Sequence, residues 1–105
     1  MDAALADCEH ALKLDARLAE TWSQRGLVRL GKGDLAGALA DFDQALKLNP
    51  QLADGYANRG HARLIQGNAA EAEADFVRCR ALGGKLKPEV EQWLDEVKQR
   101  RAPRK

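Results

Sequence analysis

Apolar side chains along this chain recur at three- and four-residue intervals and almost nowhere alternate. Trp22, Gly26 and Leu30 stand at i, i+4 and i+8, and Ala38, Phe42, Ala45 and Leu46 follow at the same kind of spacing. Each set marks one face of a helix. Ala4, Cys8 and Ala11 form a similar face near the start, and Val90, Trp93, Leu94 and Val97 form another near the end. Between these stretches lie residues that stop and start helices. Gly33-Asp34 and Gly67-Asn68 each offer a terminating glycine followed by an N-cap side chain. Asn49-Pro50 ends a helix because proline disfavours helical geometry in the residue before it. Gly83-Gly84 is a further turn, and Pro88 suits the first turn of a last helix.

The pattern repeats with a fixed period. Residues 19–52 and 53–86 are identical at 13 of 34 positions without a gap, among them Arg25/Arg59, Gly26/Gly60, Arg29/Arg63, Asp41/Asp75 and Phe42/Phe76. Trp22 aligns with Tyr56, an aromatic exchange, and residues 1–18 match 35–52 at 9 of 18 positions. The chain thus reads as half a unit followed by two whole ones. A period of this length signals stacked helical hairpins that bury a shared core.

The spacing Trp22, Gly26, Gly33, Ala38, Phe42, Ala45, Pro50 resembles the tetratricopeptide repeat, a 34-residue helix–turn–helix. The next copy keeps Tyr56, Gly60, Gly67, Ala72 and Phe76, and departs at Cys79, where alanine is usual, and at Gly84, where proline is usual. The resemblance implies an all-α fold, a right-handed superhelical solenoid with a C-terminal capping helix. It also implies a ligand groove on the concave face, lined by first helices. Carried onto this chain, that face comprises Glu20, Ser23, Gln24, Leu27 and Leu30, then Asp54, Ala57, Asn58, His61, Leu64 and Ile65. Some family members grip acidic C-terminal tails with a clamp of lysines and asparagines. Asn58 matches one clamp asparagine, but Ser23 and Leu27 stand where lysine and asparagine are expected, and Glu20 and Asp54 repel an acidic peptide.

The ends of the stack are marked by what the repeats lose. Second helices carry an extra leucine pair, Leu5/Leu12 and Leu39/Leu46, suited to packing on the next unit, and the last unit has Glu73 and Arg80 there. The amphipathic stretch 88–101 then reads as a capping helix, with 102–105 as a basic tail. At the front, residues 1–18 correspond to the second helix of a truncated repeat, leaving Ala4, Cys8 and Ala11 without a partner helix. Such a face belongs to the tail of a longer array or pairs with a second copy, a homodimer.

Composition narrows the chemistry. At 105 residues, with 45% hydrophobic and 31% charged side chains, the chain supports one small folded domain. No apolar run approaches the ~20 residues of a membrane span and no secretory leader is visible, so a cytoplasmic protein is expected. Cys8 and Cys79 read as buried thiols rather than a disulfide. His10 and His61 do not cluster with other ligands, so neither metal nor cofactor is expected. No phosphate-binding glycine loop is present, and Thr21 and Ser23 are the only hydroxyl side chains of Ser or Thr type, so no enzymatic activity is expected. The recurring arginines at 25, 29, 59 and 63 form either an anion-binding ladder or ion pairs with the recurring Asp7, Asp41 and Asp75; the shared period favours pairs. Net charge is +1, with residues 78–105 holding nine basic and four acidic side chains. The terminal Lys98, Arg100, Arg101, Arg104 and Lys105 lack interleaved aromatics, so nucleic acid is not the expected partner. The expected function is a non-catalytic scaffold that binds a peptide or helical segment of a protein partner. Self-assembly through the first helix is the alternative.

Overall fold

The computed structural model describes residues 3–101, with the side chain of the last of these left aside. Among the described residues six helices follow one another: α1 (Ala3–Leu14), α2 (Ala19–Gly31), α3 (Leu35–Leu48), α4 (Ala53–Gln66), α5 (Ala69–Ala81) and α6 (Pro88–Arg101). No strand occurs among the described residues. The principal pairings join α2 to α3 and α4 to α5 as hairpins, while α3 meets α4, α1 meets α2, and the two first helices α2 and α4 touch. The molecule is correspondingly elongated, 57 × 26 × 20 Å.

The hairpins close because a ring meets a glycine. A Cβ at Gly26 would lie 2.5 Å from Phe42 Cε1, and one at Gly60 would lie 2.8 Å from Phe76 Cε1. Only hydrogen at these positions lets the helices approach so closely, and Phe42 and Phe76 are accordingly 0% and 1% exposed. Phe42 shares one buried cluster with Ala38 and with Ala62 of the next hairpin. The core is therefore continuous between units. Leu39 packs against that cluster, and Leu46 Cδ2 lies against Gly55 of α4, as the extra leucines predict.

The turns follow the sequence with one exception. Gly33 and Gly67 adopt φ of +85° and +88°, a region costly for other residues. Asp34 caps α3 by accepting from Gly37 N at 2.9 Å. Asn68 holds the equivalent place before α5 but makes no side-chain cap. Its Nδ2 donates instead to Glu71 Oε2 at 2.6 Å, a charge-assisted bond that the aspartate in the other hairpin could not make. Asn49 leaves α3 in an extended conformation before Pro50.

Both ends of the stack show differences of degree. In α1, Ala4 is exposed and Ala11 half-buried, but Cys8 is buried along with Leu12. α1 packs against α2. The expected bare face is thus open only in part, because α2 shelters its centre. At the other end α6 docks through Leu94, which is fully buried with Ala72 and Phe76, flanked by Val90, Trp93, Leu64 and Leu86. Trp93 meets Phe76 edge-to-face at 5.9 Å. Glu73, one of the charged residues that replace the leucine pair, is buried.

Candidate partner-binding groove

The recurring charges act inside the hairpins. Arg25 grips Asp41 with two hydrogen bonds, Nε to Oδ2 at 3.0 Å and Nη2 to Oδ1 at 2.8 Å. Arg29, one turn on, adds contacts of 3.3 Å to both oxygens. The second hairpin repeats this arrangement. Arg59 holds Asp75 at 3.0 and 2.8 Å, and Arg63 reaches it at 2.9 Å. Arg59 also donates to Asp43 of α3 at 3.0 Å, linking the hairpins. The hydrogen bonds from Arg25 to Asp41 hold its pKa above the ordinary value. For Arg59, burial opposes the charged form, and the bonds to Asp75 and Asp43 outweigh it, so its pKa also rises. These arginines are committed to structure and do not form a free anion ladder. Asp7, the counterpart in α1, is exposed.

The aromatic pair is equally periodic. Trp22 Nε1 donates to Ala16 O at 2.8 Å, and Tyr56 Oη donates to Pro50 O at 3.1 Å, each tying a first helix to the turn before it. The guanidinium groups of Arg25 and Arg59 cover these rings at 4.9 and 5.6 Å. The first helices α2 and α4 touch, and Asn58 joins them directly by donating to the Ser23 hydroxyl at 3.1 Å.

Along these two helices runs a groove. Its deeper part is a cavity of about 310 Å³ with a floor of Leu27, Leu30, Ala57 and Phe76. Asp54, Asn58 and His61 supply its polar edge on α4. The far wall comes from the segment entering α6: Lys85, Leu86, Lys87 and Val90. Leu27, Asp54 and Asn58 also border a second hollow of about 230 Å³, which Glu20, Ser23, Gln24 and Leu52 complete. Leu27 is 46% exposed, an apolar side chain offered to solvent at the junction of the two hollows.

Nine of the eleven residues expected on the concave face line one hollow or the other. Leu64 and Ile65 do not. Leu64 packs against the Ala72–Phe76–Leu94 cluster, and Ile65, 58% exposed, lies outside both hollows. The wall at 85–90 was not anticipated. Its signal was the period itself: 34 residues beyond Ala53 and Tyr56 lie Lys87 and Val90, so in sequence the start of α6 takes the register of a third first helix.

The remaining candidates are dispersed. His10 and His61 are exposed on separate helices, and no group of three metal-binding side chains forms among the described residues. Cys8 and Cys79 are both buried and are not joined in a disulfide, and burial pushes the Cys79 thiol up. Of the terminal basic run, Lys98 and Arg100 are exposed on α6, whereas Arg104 and Lys105 lie outside the described residues. No helix among the described residues is long and apolar enough to cross a membrane.

Comparison with known proteins agrees with this architecture. Residues 28–67 match the family model described as TPR repeat. No curated protein sequence matches the chain. Among solved structures, it is similar to the first TPR of Spaghetti (RPAP3) bound to the HSP90 peptide SRMEEVD, with a TM-score of 0.80 and 22% identity over 94% of this chain and 78% of that one. It is also similar to MamA, with a TM-score of 0.70 and 20% identity over 75% of this chain. The match spans 46% of the MamA chain, less than half its length. At these identities the likeness is one of fold. With the glycine–phenylalanine hairpins, the 34-residue period and the match over residues 28–67 in accord, the chain has the helical-hairpin fold of tetratricopeptide repeats, and residues 28–67 match that family's model.

Proposed function

We propose that this chain is a non-catalytic interaction scaffold that holds a peptide or helical segment of a partner protein in the groove between α2, α4 and residues 85–90. The observation that carries the reading is the groove's construction. An apolar floor with exposed Leu27 lies open between polar edges, beside helices fixed by buried ion pairs. Ligand sites commonly join an apolar floor to a few placed polar groups, and a rigid groove limits the ordering cost of binding. The RPAP3 structure of similar fold, determined with a bound HSP90 peptide, supports a peptide as the kind of ligand.

The reading treats the chain as one domain, with residues 1–18 as a second helix, repeats at 19–52 and 53–86, and a capping helix at 87–101. The recurrence of the arginine–aspartate pairs at the same period supports that division. A cytoplasmic setting belongs to the proposal as well, one in which the two buried thiols stay reduced.

Affinity capture from a cell extract tests the groove when wild type is compared with Leu27→Asp. The substituted side chain is half exposed, so folding is retained and circular dichroism verifies it. A partner captured by wild type and lost with Leu27→Asp is the expected outcome. Equal capture by both proteins removes the groove from the account.

A further inference from the structure

The charges around the groove differ from the charges that build the hairpins. Arg25, Arg29, Arg59 and Arg63 are all engaged by aspartates. Lys85 and Lys87 at one end of the groove, and Glu20 at the other, are exposed and form no ion pair among the described residues. Asp54, also exposed, borders both hollows. The cavity with the two lysines has the apolar floor, and the hollow with Glu20 adjoins it across Leu27. A ligand lying along the groove therefore meets Lys85 and Lys87 at one end, Asp54 where the two hollows join, and Glu20 at the other end.

We propose that the groove selects an internal peptide segment of opposite charge polarity: one bulky apolar anchor in the 310 Å³ cavity, acidic residues beside Lys85 and Lys87, and basic residues beside Glu20 and Asp54. The inference rests on the groove assignment above and adds the chemistry of the occupant. It departs from recognition of a terminal acidic tail, because the position matching a clamp asparagine, Asn58, spends a donor on Ser23, and the neighbouring Glu20 and Asp54 oppose a run of acids. Rim charges of this kind act mainly on selectivity and encounter.

The test uses short capped peptides with a central leucine, titrated into the labelled full chain and followed by NMR. One peptide carries lysines on one side of the leucine and glutamates on the other; two controls carry lysines only or glutamates only. The mixed peptide is expected to bind about fivefold more tightly than either control, the scale of a few exposed charge pairs, with the preference shrinking in added salt. In Lys85→Glu/Lys87→Glu the all-lysine peptide becomes the preferred ligand, and in Glu20→Lys/Asp54→Lys the all-glutamate peptide does. Equal affinities for the three peptides, an unchanged order in both variants, or no shifts at groove residues with any peptide would overturn the proposal. The two readings fail separately. If Leu27→Asp loses the captured partner while the charge variants leave the peptide order unchanged, the groove stands and its polarity falls.

Discussion

Asp41 and Asp75 show what single residues contribute to this molecule. Each is almost fully buried, and each is satisfied by two guanidinium groups from the facing helix. Removing the negative charge leaves two partly buried cations without their counterion, so Asp41→Asn should destabilise the fold by about 3 kcal/mol. Urea unfolding measures this, and an unchanged midpoint would mean that the pair is structurally idle. Cys79 gives a pH-dependent prediction. Burial raises its pKa above the reference value of 9.0. The folded state then holds its proton where the unfolded chain has lost it, so this contribution is intact below pH 9.0 and declines as pH rises beyond it. Cys79→Ala should show less alkaline loss of stability than wild type, and equal loss in both would contradict the assignment. The arginine–aspartate pairs were legible in the sequence because both signs recur at one period. The role of Asn68 was not: asparagine suits both an N-cap and a bond to Glu71, and the choice depends on where that carboxylate lies.

At the scale of elements, the hairpins were readable and the final helix only half so. The stripe of Val90, Trp93, Leu94 and Val97 announced a helix buried on one side, and Leu94 is fully buried. That the same helix would bring Lys85, Leu86 and Lys87 to the groove was hidden, since a stripe gives the buried face but not the neighbour it meets. The docking of α6 relies on Leu94 with Trp93 and Val90 around Phe76. Leu94→Ala should therefore cost about 3 kcal/mol. Hydrogen exchange should quicken first in α6, with α2 and α3 keeping their protection. Uniform loss across all helices would instead show that α6 unfolds only with the whole stack. Because Val90 and Leu86 wall the cavity, the same substitution should also weaken ligand binding.

For the whole molecule, the period carried most of the architecture. Units that meet only their neighbours form an elongated body with a repeated inner surface, and the 57 × 26 × 20 Å outline reflects it. Nine expected groove residues came together because successive first helices lie side by side, whereas Leu64 was drawn into the core by α6. Chemical-shift mapping of the full chain with a captured partner segment tests the central claim most directly. Shifts should concentrate at Glu20–Leu30, Asp54–His61 and Lys85–Val90. Shifts gathered instead around exposed Val77 and the outer faces of α3 and α5, with the groove silent, would contradict it.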